Sequence, residues 1–338
     1  MSPNIETSYL GLKLKSPVIA GSSPLAETVD QAKRFEDAGV GAFVMHSLFE
    51  EQVVEEQRML HATTEWHDDT FGEATSFFPK FEEYRLVPDR YLEHLANLKR
   101  SLGVPVIASL NGRNSGPWLD FATQLESAGA DALEINAYFV VTDPEETPDR
   151  VDARIADIVK RATERVKIPV SVKLSEFHTA LPNLGRRLEA AGASGLVLFN
   201  RFYQSDFDLD AMTVATRIRY SSSTELLLRL RWLAILSSTG KADLACTGGV
   251  HTANDLIKAI LAGANVAQVV SAAAKRGPHA ISAMLDGLRL WMGERGYADL
   301  DSMRGALNLS RCPDPAAHER ANYLRNLREA NVHPGLRI

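Results

Sequence analysis

Cysteine is nearly absent from this chain of 338 residues, which has only Cys246 and Cys312. The two lie in unrelated contexts without metal-type spacing, which disfavours a disulfide framework, a zinc site and a cysteine-ligated iron–sulfur centre. No apolar run reaches the length of a membrane span, and no basic start followed by an apolar block indicates a secretion signal. We therefore expect a cytoplasmic protein with no membrane partner and no metal site.

A basic block is also missing. The net charge is -6 at pH 7, with 45% apolar and 24% charged residues. This composition is typical of a soluble globular protein with a sizeable core, and it offers no electrostatic footprint for nucleic acid. We expect the partner to be a small-molecule substrate and not a nucleic acid.

A short alanine–glycine signature occurs four times, at Gly39, Gly129, Gly192 and Gly263. Each copy follows an amphipathic helical run and precedes a short apolar run. The glycine is therefore predicted to end a helix in the left-handed conformation just before a strand. Such a repeat is half of a βα unit.

Eight short runs are apolar throughout, as expected of parallel strands that are buried on both faces. They are residues 16–20, 42–45, 104–110, 132–135, 170–174, 195–199, 243–245 and 266–270, and helical runs separate them. This alternation predicts an α/β fold, a closed (β/α)8 TIM barrel, with an open doubly wound sheet as the less favoured arrangement. We find no linker and expect one domain over residues 1–338, with a long loop at about 50–88 and a C-terminal helical tail at about 298–338.

Two neighbouring predicted strands end in turns with little side-chain bulk, Gly248-Gly249 and Ser271-Ala272. Such turns let backbone N–H groups approach an anion, and a helix N-terminus behind the turn adds partial positive charge. A glycine pair alone is as often a simple tight turn. Two such turns side by side predict a phosphate-binding cradle.

The remaining predicted strand ends are rich in small and amide residues and carry one lysine. In a barrel these ends form the active-site face. Neutral amides supply donors and acceptors that suit a heterocycle. A lysine inside an apolar strand predicts a functional partner, because burial disfavours an unpaired ammonium. The candidate residues are Ala20, Gly21, Ser22, Ser47, Asn111, Asn136, Lys173 and Asn200, while His46 fits either a ligand-facing or a supporting role.

With these residues in view, the sequence resembles the dihydroorotate dehydrogenase family of FMN-containing TIM-barrel flavoproteins, and most closely its class 1-like members. The resemblance runs roughly from residue 9 to residue 297. It is carried by SPVIAGSS at the first strand, ALEINAYF at the fourth, VSVKL at the fifth, ACTGGVHTANDLIKAILAGANVAQVVSAA at the seventh and eighth, and RGP before the last helix.

The resemblance implies an FMN-dependent oxidoreductase of pyrimidine biosynthesis that acts on a CH–CH group, converts dihydroorotate to orotate and passes hydride to flavin N5. It also implies a homodimer. The FMN phosphate would lie on Gly248, Gly249, Ser271 and Ala272, and the flavin along Ala20, Gly21 and Ser22, with Ser47 nearby. The resemblance also implies three catalytic residues. Asn136, like Asn111, would contact the ring or the substrate, and Asn200 would hold the pyrimidine. The charge of Lys173 would stabilise the reduced flavin.

The sequence departs from the family pattern on the substrate side. Phe139 stands where the family has a cysteine or serine base, and general-base assistance is typically worth about 10²- to 10⁴-fold in rate. The asparagine that usually ends that loop is missing, His46 replaces a lysine, and residues 221–224 replace a glycine-containing stretch. An altered substrate is expected, and the neighbouring candidates for the base are Tyr138, Ser175 and His178.

Two other functions fit the same residues. A TIM-barrel lyase or isomerase would use Lys173 as a Schiff-base lysine and the glycine turns for a substrate phosphate. A flavin-binding protein without turnover would pass electrons to a partner. The predictions below separate these alternatives.

Overall fold

Eight parallel strands form a closed ring in the computed structural model, which describes residues 3–53, 87–137, 140–201, 205–216, 219–313 and 315. The ring closes where the eighth strand pairs with the first, with Ala267 opposite Val18. The strands are Val18–Ala20, Phe43–Val44, Val106–Asn111, Ala132–Asn136, Val170–Leu174, Gly195–Leu198, Asp243–Thr247 and Val266–Val269. The predicted (β/α)8 TIM barrel is confirmed, and all eight predicted strands are present.

Helices surround this barrel and connect its strands. They are Val29–Asp37, Val87–Ser101, Phe121–Ser127, Pro148–Arg165, Leu181–Ala190, Leu226–Thr239, Ala253–Ala262, Ser271–Arg276, His279–Arg295 and Leu300–Met303. Short 3-10 turns are Pro24–Ala26, Pro117–Asp120, Ser223–Glu225 and Leu309–Arg311. Most of the long loop predicted at 50–88, almost all of the tail beyond 313, and Tyr138 and Phe139 lie outside the described residues.

The glycine repeat has the predicted conformation. Its four glycines have φ angles between 100° and 119°, each between a helix and the next barrel strand. The last copy illustrates how the sequence sets both ends of a helix. Thr252 and Asp255 form a reciprocal capping box at the start of Ala253–Ala262, and Gly263 ends that helix in the left-handed conformation. Capping satisfies backbone groups that the helix itself leaves unpaired.

A small hairpin fills the N-terminal end of the barrel. Its strands are Thr7–Tyr9 and Leu12–Leu14, and Tyr9, Leu10 and Leu14 pack on inward-facing residues of seven barrel strands. Those inward residues are all aliphatic. The bottom of the barrel is therefore an apolar core, separate from the larger core between the strands and the helices.

Polar residues appear inside the barrel only one layer higher. Side chains alternate in direction along a strand, so the residue two positions after an inward residue also points inward. On the fourth strand Ala132 is followed by Glu134 and Asn136, and on the eighth Val266 is followed by Gln268; all five residues are buried. The barrel interior thus changes from apolar at its N-terminal end to polar at its C-terminal end.

Two further features complete the described architecture. A second hairpin, Ser205–Asp208 with Thr213–Thr216, follows the sixth barrel strand. In the described part of the chain, no helix is both long enough and apolar enough to cross a membrane.

We predict that Gly41→Ala destabilises the barrel by about 1–3 kcal/mol, the usual effect of overpacking. A Cβ at this position would lie 2.4 Å from the carbonyl oxygen of Ser16, a backbone atom that has no room to move. Urea unfolding measures the change. The control is Gly293→Ala on an exposed helix surface, where a Cβ meets nothing within 4 Å and should stabilise slightly. Equal stability of the two variants would contradict the packing argument.

Candidate functional site

Three of the predicted residues lie side by side in one row at the C-terminal end of the barrel. Asn111 on the third strand is in register with Asn136 on the fourth, and Asn136 is in register with Lys173 on the fifth. Residues directly opposite on adjacent strands point to the same face. The pairing register therefore places two amides and an ammonium next to one another on the inner surface.

A chain of hydrogen bonds connects this row to the second and sixth strands. Asn200 Nδ2 donates to Asn136 Oδ1 at 3.1 Å, and Asn136 Nδ2 donates to Ser47 Oγ at 2.8 Å. Ser47 Oγ lies 2.8 Å from Ser109 Oγ and 3.3 Å from Ser22 Oγ. Four of the predicted residues, Asn200, Asn136, Ser47 and Ser22, thus form one polar network across the active-site face. Buried amides in such a network are held in one orientation.

Lys173 has a charged partner that the sequence analysis did not identify. Its Nζ lies 3.4 Å from Oε1 of Glu134, and the two residues are 8% and 1% exposed. Gln268 Nε2 donates a hydrogen bond to the other carboxylate oxygen, Oε2, of Glu134. Side chains from the fourth, fifth and eighth strands therefore meet in the middle of the barrel. The carboxylate of Glu134 is therefore the partner that Lys173 has within the protein.

The glycine pair has the backbone conformation that a cradle needs. Gly248 and Gly249 have φ angles of 86° and 85°, a region in which side chains other than glycine are strained. A Cβ on Gly249 would lie 2.4 Å from the backbone nitrogen of Leu226, so only glycine allows the turn to approach this helix. On the next strand the expected small-residue turn is wrong. Ser271 and Ala272 instead begin the short helix Ser271–Arg276, because residue 270 already leaves the strand.

Basic side chains flank the Gly248-Gly249 turn and the start of the helix Ser271–Arg276. Arg229 is buried, donates to the carbonyl of Thr247 at 3.1 Å, and its guanidinium lies 3.2 Å from where a Gly248 Cβ would be. On the other side, Lys275 Nζ donates to the Ser221 carbonyl at 3.4 Å, and Ser271 Oγ accepts a hydrogen bond from the Ser221 backbone nitrogen. Positive charge beside free backbone N–H groups is the electrostatic environment that a phosphate needs.

The first strand ends at a position where packing admits only glycine. Gly21 follows the strand, and a Cβ there would lie 2.9 Å from the side chain of Val270 and 3.4 Å from Oε1 of Gln268. That oxygen is buried and has no hydrogen-bond partner in the described part of the chain. An unpaired buried acceptor is costly, typically about 1–3 kcal/mol, so its presence at the active-site face indicates a ligand that donates a hydrogen bond.

A cavity of about 360 Å³ lies beside the ends of the fourth and fifth strands. Its lining includes Ala137, which directly follows Asn136, and two of the three candidate bases, Ser175 and His178. His178 Nδ1 lies 3.2 Å from Oδ1 of Asp152, and both side chains are largely buried. Burial lowers the pKa of His178 from its ordinary value, against the opposing charge of Asp152. The histidine is held by a carboxylate and is neutral near pH 7.

The remaining sequence predictions have simpler outcomes. Cys246 is fully buried in the seventh strand, where it packs in the core, and burial raises the pKa of its thiol to about 12. His46 contacts the ring of Tyr91 edge-on with centroids 5.1 Å apart, and desolvation lowers its pKa. It is therefore positioned by an aromatic neighbour.

Sequence reasoning missed Glu134, Gln268, Ser109 and Arg229. The first three stand in strands that were interpreted as uniformly apolar, at alternate positions one layer below the strand ends. A period-two reading of those strands would have found them, since polar residues at inward positions of a barrel are unusual. Arg229 lies in a mostly apolar helical run, in which it and Arg231 are the two charged residues.

The fold and the site together define a class: a TIM barrel with amides at its strand ends, a buried paired lysine and a glycine turn flanked by basic side chains. No protein-family model matches the chain. Comparison with curated proteins nevertheless finds relatives along most of its length.

A putative dihydroorotate dehydrogenase A (fumarate) of Aeropyrum pernix is 28% identical, over 90% of this chain and 97% of the relative. The catalytic subunit of dihydroorotate dehydrogenase B (NAD(+)) of Trichlorobacter lovleyi is 27% identical over 65% and 73% of the two chains. The PreA subunit of the NAD-dependent dihydropyrimidine dehydrogenase of Escherichia coli K12 is 23% identical over 91% and 78%. The resemblance to the dihydroorotate dehydrogenase family is thus confirmed, and the chain is related to oxidoreductases of the dihydroorotate and dihydropyrimidine dehydrogenase type.

We predict that the protein loses stability as the pH falls below about 6.5 and that His178→Asn reduces this loss. A histidine with a lowered pKa in the folded state is protonated first in the unfolded chain, so acid favours unfolding. Thermal unfolding between pH 5 and 8 measures the slope. His279→Asn, at an exposed position, should keep the wild-type slope. An unchanged slope in His178→Asn would contradict the prediction.

Proposed function

We propose that the protein is an FMN-dependent oxidoreductase that acts on a CH–CH group of dihydroorotate or a related small cyclic substrate. The observation that carries this proposal is the row Asn111, Asn136 and Lys173 at the strand ends of the same barrel that carries the glycine turn at Gly248 and the small-residue helix start at Ser271. Polar ring-binding groups and an anion cradle on one barrel face fit a ligand with a heterocycle at one end and a phosphate at the other. The related dehydrogenases support the same reading.

The residues present fit FMN. The backbone of Gly248, Gly249, Ser271 and Ala272 would hold the phosphate, with Arg229 and Lys275 as flanking charges. The ring would lie along residues 20–22, close to Gln268, which offers an unpaired acceptor. When bound, FMN supplies a hydride acceptor.

The chain's own groups position the substrate and manage charge. Asn136 and Asn200 are joined at 3.1 Å, and their remaining amide atoms are available to a ring with alternating N–H and C=O groups. Lys173 would supply positive charge where the reduced flavin becomes anionic. The network through Ser47 and Ser109 keeps Asn136 in one orientation before the substrate arrives.

The substrate side differs from the family because Phe139 cannot accept a proton. Ser175 and His178 line the cavity beside the strand ends, and the neutral imidazole of His178 is a proton acceptor at pH 7. We propose that a group of this cavity takes the substrate proton and that the cavity admits a substrate with an additional apolar part.

The Schiff-base alternative is disfavoured by one observation. A Schiff-base lysine must attack as a neutral amine, which a hydrophobic pocket or a second positive charge favours. Lys173 instead lies 3.4 Å from the buried carboxylate of Glu134, which stabilises the ammonium. A lysine held in this way serves as a fixed charge and not as a nucleophile.

We predict that the purified protein, reconstituted with FMN and dialysed, retains the yellow absorbance of bound flavin. Dihydroorotate and related dihydropyrimidines are then tested anaerobically as reductants, and bleaching of this absorbance identifies the donor. A protein that retains no FMN after reconstitution would contradict the proposed function.

A charge substitution tests the cradle itself. Ser271→Asp should weaken FMN binding at least tenfold, because the carboxylate repels a phosphate, while an aspartate at a helix N-terminus is well tolerated. Ser302→Asp is the control, because it adds the same charge to the exposed start of another helix, Leu300–Met303. Arg304, which follows that helix, contacts Thr7 of the N-terminal hairpin. Equal affinity of the two variants for FMN would place the phosphate elsewhere.

A further inference from the structure

A buried carboxylate lies below the row of active-site residues. Glu134 is 1% exposed and contacts both Lys173 and Gln268. Burying a carboxylate in a barrel core is unfavourable unless its partners compensate, and an aliphatic residue would pack there without this cost. The triad of Glu134, Lys173 and Gln268 therefore calls for a functional explanation.

We propose that Glu134 is a positioning residue that keeps Lys173 protonated in the barrel interior and orients the Gln268 amide so that its oxygen faces the bound ligand. The identity of that ligand as FMN rests on the proposed function. The action of Glu134 on its two neighbours does not depend on it.

The first half of the proposal follows from burial and charge. An ammonium that is removed from water without a counter-charge gives up its proton near neutral pH, whereas a carboxylate at 3.4 Å favours the charged form. The other ionisable groups that interact with Glu134 are the phenols of Tyr9 and Tyr91. Burial raises the pKa of both well above the ordinary value, so they stay neutral. The pair Glu134 and Lys173 therefore sets the charge of this part of the interior.

The second half follows from hydrogen-bond geometry. An ionised carboxylate only accepts hydrogen bonds, so Glu134 Oε2 must receive the NH₂ group of Gln268 and not its oxygen. This fixes the amide with Oε1 on the opposite side, where it lacks a partner and lies near Gly21. Glu134 thus presents two groups of opposite polarity to a ligand, the donor Nζ of Lys173 and the acceptor Oε1 of Gln268.

The test compares Glu134→Gln with the double variant Glu134→Gln/Lys173→Met in the FMN-free protein. Without the Glu134 charge, burial favours the neutral form of folded Lys173, while in the unfolded chain a lysine keeps its proton up to about pH 10.4. Over the pH range in which these two forms differ, the unfolded state binds more protons, so the stability of Glu134→Gln rises with pH. Its unfolding constant should fall by up to about tenfold per pH unit relative to the double variant, and the wild type should lack this slope.

A second readout uses the cofactor. With FMN bound, the midpoint potential of Glu134→Gln should drop relative to wild type as the pH rises, and approach the potential of Lys173→Met, because the stabilising charge is lost. A purely structural role for Glu134 would leave the pH profile of the potential unchanged. If the wild type binds no FMN, the proposed function fails, and the unfolding experiment still decides whether Glu134 controls Lys173.

The outcomes are decisive even if Glu134→Gln unfolds at neutral pH. The proposal then expects the variant to fold at alkaline pH, where Lys173 is neutral, and expects Lys173→Met to restore folding. Parallel stability profiles of the single and double variants would overturn the proposal. So would an unfolded single variant that neither alkaline pH nor Lys173→Met rescues.

Discussion

The interior of a closed barrel contains little water, so a charge placed there needs a partner of opposite sign, and this constraint organises the active-site face. Glu134 and Lys173 satisfy one another at 3.4 Å, and Gln268 satisfies the second carboxylate oxygen. The three side chains come from strands that are far apart in sequence. The closed ring brings them together. Their ion pair and hydrogen bond hold the side chains that lie beneath the amides of Asn111 and Asn136.

The polar layer is possible because the opposite end of the barrel is sealed. The N-terminal hairpin packs Tyr9, Leu10 and Leu14 against aliphatic inward-facing residues, which supplies hydrophobic stabilisation that the polar layer cannot. Stability and function are thus separated along the barrel axis. The apolar end maintains the ring, while the C-terminal end carries amides, a paired charge and strained glycines that a folding core alone would not favour.

The sequence predicted the barrel well because its signals are local and repeated. A glycine such as Gly263 ends a helix through its own backbone conformation, and an apolar run indicates a buried strand wherever it occurs. The strand-end residues could be named by the same logic. The partner of Lys173 could not, since the meeting of Glu134 and Gln268 depends on barrel closure and on strand register. The start of a helix at Ser271 was missed because serine and alanine suit a turn equally well.

The central claim is that the barrel binds FMN with its phosphate between the Gly248-Gly249 turn and the helix start at Ser271, and with its ring above the paired lysine. A crystal structure of the FMN-reconstituted protein tests this claim most directly. The account predicts phosphate density at the backbone nitrogens of residues 248–249 and 271–272, with Lys173 Nζ and Gln268 Oε1 facing the isoalloxazine. Flavin density away from these strand ends, or a phosphate bound elsewhere, would contradict it.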